Sequence, residues 1–114
     1  PEPERAIEER VQVAAIEALA SMGNIQLETE GSLEALFLRR FDEGRPSRVA
    51  ALVGKQTAGS EAIQVALCDG LALIGGERAL SRLKDTSSEG RIAVRSRMER
   101  AAGTLANRLG SVAA

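Results

Sequence analysis

Two phenylalanines, with no tyrosine and no tryptophan in 114 residues, set the strongest limit on what this chain can fold into. Aromatic rings normally supply much of a core's buried area and most of an interface's anchors. Without them the interior has to be aliphatic and rich in alanine, which suits helices that approach one another closely. Ala and Leu also favour helix over strand along most of the chain. The expected fold class is therefore all-α. The one strand-like stretch, NIQLETE at 24–30, alternates Ile25 and Leu27 with polar residues but has no evident partner, and it reads as a connection.

Apolar periodicity divides the chain into about six helical segments. The first runs from about Arg5 to Met22, with Ile7, Val11, Ala14, Ala18 and Met22 on one face and Gly23 at its end. The second spans Ser32 to Phe41, with Ser32 as N-cap and the DEGRP sequence as its terminator. A third starts at Pro46, a permitted first-turn proline, and runs to about Thr57. The fourth, Ser60 to Ile74, is apolar nearly all round, as a central helix should be. Its expected core residues are Ile63, Val65, Leu67, Leu71 and Ile74. A short fifth segment covers Glu77 to Lys84. The sixth runs from about Glu89 to Leu109, with Val94, Met98, Ala101, Leu105 and Leu109 on one face.

Three of these helices share an ending: AAIEALASMG at 14–23, ALCDGLALIG at 66–75 and AAGTLANRLG at 101–110. Each carries small residues early, apolar residues in the last turns and then a glycine, where a left-handed helix stop would turn the chain back. The segment 66–110 resembles the short HEAT-like repeats, an α-solenoid type also seen in phycobilisome lyases. The resemblance rests on Ile74 and Gly75, on Glu77, Ala79, Leu80, Leu83 and Asp85 in the helix that follows, and on Arg91 and Arg95 at the start of the next. It implies antiparallel helical hairpins stacked as a short right-handed superhelix, with a compact helical bundle as the other arrangement. It also implies a binding scaffold, because stacked helix pairs present an extended surface. The glycines fall 52 and 35 residues apart, so a regular array would need an insertion, which the 46–57 segment could supply.

The length fits a single domain over 1–114, either processed before Pro1 or excised from a longer chain. With one Cys and no His, an internal disulfide and imidazole-based zinc sites are excluded. No apolar run reaches the ~20 residues of a membrane span, and the opening PEPERAIEER is too acidic for a signal peptide. The expectation is a soluble, cytoplasmic protein that makes no membrane contact.

Enzymatic chemistry finds little to work with. Cys68 lies in an apolar helix that would raise its pKa, and no His is present to activate it. Ser60, Ser81, Ser87, Ser88 and Ser96 likewise lack a His base. Asp69, inside the apolar 60–74 helix, reads as an edge residue that reaches solvent or bonds an Arg of the last helix. The Gly-Gly pair at 75–76 follows a helix rather than a strand, so it is a helix stop before it is a phosphate loop. The N–H groups after it could hold an anion, opposed by Glu77. No catalytic residue, cofactor or metal is expected.

Charge is the feature that points toward function. Residues 1–43 carry a net −6, residues 44–76 a net +1 and residues 77–114 a net +4, for a total of −1. On the last helix Arg97, Arg100 and Arg108 are expected on the face away from Val94, Met98 and Leu105, as an outward basic stripe, with Arg91 and Arg95 as further candidates for partner binding. The sequence thus reads as a non-enzymatic protein-interaction or scaffold module whose arginines meet an acidic partner. That partner could be the acidic first helix of another copy, through Glu8, Glu9 and Glu17, and the apolar end faces offer a second route to a homo-oligomer. Two alternatives stay open: a helical domain that binds nucleic acid or another anion through the Arg-rich helix, and an accessory domain of a larger enzyme or regulatory protein. Nucleic acid is disfavoured by the slightly negative total charge and the lack of an aromatic stacking platform.

Overall fold

A computed structural model describes residues 2–27, 31–44, 61–86 and 89–113. Within them the order is α1 (Glu2–Ala20), β1 (Gln26–Leu27), β2 (Gly31–Ser32), α2 (Leu33–Glu43), α3 (Glu61–Ile74), α4 (Glu77–Lys84) and α5 (Ile92–Ala113). The expected helix at 46–57 lies outside the described residues. Among the described residues the fold is all-α apart from one short pairing, in which Gln26 faces Ser32 and Leu27 faces Gly31 in antiparallel register. The stretch read as a connection therefore does have a partner. The pairing is too short to stand alone and serves to aim α2. The Ile25 carbonyl accepts the Leu33 N–H at 2.8 Å and the Asn24 side chain accepts the Glu34 N–H at 2.9 Å. Ser32 caps α2 as its sequence predicts, its hydroxyl accepting the Ala35 N–H at 3.1 Å.

α3 is the hub, packed by α1, α2 and α5, while α4 rests mainly on α5. The core is aliphatic around the two Phe rings: Leu33, Phe37 and Phe41 from α2; Leu67, Cys68 and Leu71 from α3; Ala79 and Leu83 from α4; and Val94, Met98, Ala101 and Leu105 from α5. Leu67, Leu71 and Ile74 are buried as expected, but Ile63 and Val65 are only partly so, and Leu73 is 64 % exposed. A helix covered on three sides still has a fourth.

The face of α1 is a correction. Val11 and Met22 are 61 % and 63 % exposed, and Ala14 and Ala18 face solvent with them. The side chain of Ile7 lies outside the described residues. The docked side is the opposite one, carrying Val13, Ile16 and Ala20. Both sides of this helix are apolar enough to dock, so periodicity alone could not choose. Shape chooses: Ala20 meets Gly70 of α3, where an added Cβ would stand 3.6 Å from the Ala20 Cβ and 2.7 Å from the Phe37 ring. Two small residues bring the helices together.

The three glycine endings also differ from one another. Gly23 has φ +85°, a left-handed stop after α1. Gly75 has no positive φ. It is glycine because its neighbours are close: a Cβ there would lie 2.5 Å from both the Ala79 Cβ and the Leu71 carbonyl oxygen. Gly110 stops nothing, since α5 continues to Ala113. At its other end α5 begins at Ile92, not Glu89. The Glu89 carboxylate accepts the Arg91 N–H at 2.9 Å and holds these residues outside the helix.

Helix ends are satisfied across long sequence distances. The Gln64 side chain, fully buried in α3, donates to the Phe41 carbonyl at the end of α2 at 3.0 Å. The Glu34 carboxylate accepts the N–H groups of Gly76 at 2.7 Å and Ala79 at 3.3 Å, so it occupies the positive end of α4. The anion that the Gly-Gly turn could hold is the protein's own.

Candidate functional site

The five arginines expected to bind a partner, Arg97, Arg100 and Arg108 of the stripe with Arg91 and Arg95, fall into two groups on opposite edges of the buried face of α5. At 3.6 residues per turn, Arg97 and Arg108 lie only about 60–80° from the direction of Val94, Met98 and Leu105, whereas Arg100 lies about 140° away. Proximity to the core is why two of the three bond inward. Arg97 stands 3.5 Å from Asp69 of α3, and Arg108 donates to the Gly75 carbonyl at the end of the same helix. Asp69 thus fulfils both expectations, being exposed and paired with an Arg of the last helix. Arg100 points to solvent.

Arg91 and Arg95 gather on the other edge around Glu89, which is 3 % exposed. The Arg91 guanidinium donates to both Glu89 carboxylate oxygens, at 2.9 and 3.0 Å, and to the Gly44 carbonyl at 3.2 Å. Arg95 donates to the Glu89 carbonyl at 2.9 Å. Burial would raise the Glu89 pKa, but hydrogen bonds from the Arg91 side chain and N–H, with the Arg91 and Arg82 charges, outweigh it and hold the carboxyl below its usual value. The cluster ties the start of α5 to the end of α2. A second tie is Arg82 of α4, which bonds Asp42 at 2.6 Å and lies over the Phe41 ring at 4.9 Å.

Arg91 and Arg95 are held in this cluster, and the grooves on the α3 side lie along the other edge of α5. There α1, α3 and α5 run side by side and form one face. Its ridge is the outer line of α3, Ala62, Val65, Asp69 and Leu73. Between this ridge and α1 lies a groove of about 380 Å³, bordered by Val13 and Glu17. Between the ridge and α5 lies another of about 350 Å³, bordered by Arg97, Arg100 and Thr104. One flank is acidic, the other basic, and the ridge carries an exposed leucine. Sequence reasoning named Asp69, Glu17 and the arginines but missed Leu73 as a surface residue. A signal for it existed: Leu73 follows Asp69 by one helical turn, so the edge on which Asp69 reaches water is the edge of Leu73 too.

A further recess of about 400 Å³ lies between α1, α2 and the inner side of α3, lined by Ile16, Leu19, Leu36, Phe37, Ile63 and Leu67 among others. Among the described residues its one charged lining residue, Arg40, stands 3.8 Å from Glu43, and none of the described lining residues is a buried polar group that would orient a ligand.

Cys68 is fully buried, and burial, with the neighbouring Asp69 charge, pushes its pKa up to about 12. Its thiol is protonated at neutral pH and is no nucleophile. Among the described residues no three His, Cys, Asp or Glu side chains converge as metal ligands, and no helix is long and apolar enough to cross a membrane. Comparison with known proteins finds no matching family model, no similar curated protein and no similar solved structure.

Proposed function

We propose that this chain is a protein-interaction module, built from helix pairs in the manner of HEAT-like repeats, which binds a partner through the face formed by α1, α3 and α5. The observation that carries the reading is Leu73, 64 % exposed on a ridge between an acidic and a basic flank. An apolar centre within a polar, charged rim is the anatomy of a protein interface. The basic flank takes an acidic patch on the partner, with Arg100 and Arg97 as the steering charges. The reading is non-enzymatic. Nucleic acid fits the surface less well, because Arg91, Arg95, Arg97 and Arg108 already pair with acceptors in the protein, which competes with phosphate.

Site-specific photo-crosslinking in cells tests this. A crosslinker at Leu73 should give defined protein adducts, and the double variant Arg97→Glu, Arg100→Glu should suppress them. The same group at Ala106, which is exposed on the far side of α5, should give none. Equal labelling from both positions, or adducts indifferent to the arginine variant, would sink the reading.

A further inference from the structure

We infer that the outer edge of α1 binds a second copy of the same chain, as a twofold dimer in which the two α1 helices lie antiparallel, Val11 of each beside Ala18 of the other and Arg10 of each beside Glu17 of the other. This edge stands apart from the Leu73 ridge, and neither surface depends on the other.

Three of the helices run parallel in one layer. Ala20 of α1 meets Gly70 of α3 while Ile16 shares a recess with Ile63, and Arg97 and Arg108 of α5 reach Asp69 and Gly75 in the same order along α3. Their shared endings set them in register: a shift of 52 residues carries Val11, Ala14 and Ala18 onto Ile63, Ala66 and Gly70, and a further 35 carries those onto Met98, Ala101 and Leu105. In α3 and α5 these positions form the docking side. Ala66 and Gly70 are buried against α1, and Met98, Ala101 and Leu105 are buried against α3. In α1 the same positions face solvent, with Val11 61 % exposed and Met22, one turn beyond Ala18, 63 % exposed. Among the described residues, then, α1 presents the side with which each later helix of the layer docks, and no helix receives it.

The other edge of the layer is finished differently. Val13, Ile16 and Ala20, the side of α1 turned toward α3, correspond in α5 to Arg100, Gly103 and Asn107, all exposed. A polar outer side of this kind ends a helical stack. It gives Val11 and Met22 of another copy no apolar seat, so head-to-tail assembly is disfavoured. The α1 edge finds its match in itself, and a patch that meets its own copy makes a closed twofold contact.

Charge sets the direction. At 3.6 residues per turn, Arg10 and Glu17 lie about 40–60° to one side of Ala14, and Val11 and Ala18 about 40–60° to the other. All five are exposed. A twofold axis in the interface plane, perpendicular to α1 and passing over Ala14, reverses the helix and keeps each flank on its own side. Arg10, four residues before Ala14, then comes level with the partner's Glu17, three residues after it, and the same pair forms again across the axis. On the other flank Val11 comes level with the partner's Ala18. Two alanines at the axis, and a larger side chain beside a small one, let the helices approach closely. An axis along α1 would instead lay the charged flank of each copy on the apolar flank of the other, with the two helix dipoles parallel.

Size sets the expected strength. From the level of Met22 on one copy to that of Met22 on the other the contact runs about 24 Å, and a helix pair touches over a width of about 10 Å, so each copy contributes roughly 300 Å². That lies well below the roughly 800 Å² per partner of a standard stable interface, which places dissociation near about 100 μM and makes it sensitive to salt.

Sedimentation of the full chain from about 5 to about 500 μM, at about 0.05 and about 0.5 M salt, measures this. Low salt should give a monomer–dimer equilibrium that weakens several-fold at high salt. Ala14→Glu, which sets two carboxylates at the axis, should abolish the dimer and leave the circular dichroism melt unchanged, since the position is exposed. Arg10→Glu and Glu17→Arg should each weaken association several-fold, and combining them in one chain should restore it. Ile92→Asp, at an apolar residue of α5 that is 84 % exposed, should not matter. Disulfide trapping reads the direction: under mild oxidation Val11→Cys and Ala18→Cys chains, mixed, should cross-link to each other faster than either does to itself, while Cys68 stays buried. A monomer at every concentration in low salt overturns the dimer. So does a dimer that survives Ala14→Glu, is lost in Ile92→Asp, fails to return with the charge swap, or traps each cysteine variant only with its own kind.

Discussion

The two seams on either side of α3 are built on different principles. Toward α5, the residues Val94, Met98, Ala101 and Leu105 are all buried, in one cluster with Leu71 of α3 and Leu83 of α4. Toward α1, only Ala20 is buried among that helix's described side chains, with Ile16 and Leu19 half-covered. The first seam is a core, closed by large aliphatic groups and by bonds from Arg97 and Arg108. The second is a docked layer, held by the approach of Ala20 to Gly70 and bordered by grooves on both sides. A stable hub thus carries a more loosely seated helix, on which Glu17 is exposed.

The largest expected effect comes from emptying the closed seam. Leu71→Ala should cost about 2–5 kcal/mol in urea unfolding, because the side chain is fully buried and its neighbours cannot collapse into the space. Ile16→Ala on the docked seam should cost less, roughly 1 kcal/mol, in proportion to its smaller buried area. Hydrogen exchange should show the same ranking, with α5 amides protected longer than those of α1. Equal costs at the two positions would erase the distinction.

Overfilling comes next. Gly75→Ala, at the junction of α3, α4 and α5, should destabilise by about 1–3 kcal/mol, since its methyl group would press on Ala79 and on backbone. Gly70→Ala should act on the other seam by pushing against Phe37 and Ala20, and it should loosen α1 before the rest. A thermal melt with probes on α1 and α5 would resolve the order of release.

The Glu89 cluster gives a pH signature to the α5 side. Its carboxyl is held below its ordinary value of 4.5, so its ionised form stabilises the fold above that pH. The contribution is lost as the pH falls below about 4.5 and through the lower native value. Glu89→Gln should lose about 1–3 kcal/mol at neutral pH and flatten the acid limb of the stability profile. An unchanged acid limb would show that other carboxylates govern it.

The smallest effect should be at the bridge between α3 and α5. Arg97 and Asp69 are 33 % and 53 % exposed, so Arg97→Ala should change stability by no more than about 1 kcal/mol. A larger loss would place this pair within the core seam and not on its rim.

Much of this fold is legible in the amino-acid sequence. Periodicity bounds α4 at Glu77 and Lys84, where the structure has it, and residue type alone marks Ser32 as the cap of α2. Asp69 betrays the outer edge of an otherwise apolar helix. The candidate site is legible in its charges but not in its assembly. Helical spacing sets Leu73 about 200° from Leu71 and Arg95 about 200° from Arg97, so those edges were readable; the bonds from Arg91 and Arg95 to Glu89 were not.

What the sequence determined by itself was the helical class, the places where most helices begin and end, the quiet thiol of Cys68 and the opposite charge of the two ends. These depend on propensity, periodicity, capping and composition, which act within a few residues or over the chain as a whole. Only the tertiary structure decided which side of α1 docks, why Gly75 is glycine, which anion sits on α4 and which arginines remain on the surface. Each of these depends on residues brought together from distant parts of the chain, such as Glu34 with Gly76 or Arg91 with Gly44. An alanine-rich helix with two apolar sides and an arginine with several reachable acceptors have more than one local solution, and packing against the neighbouring helices selects among them.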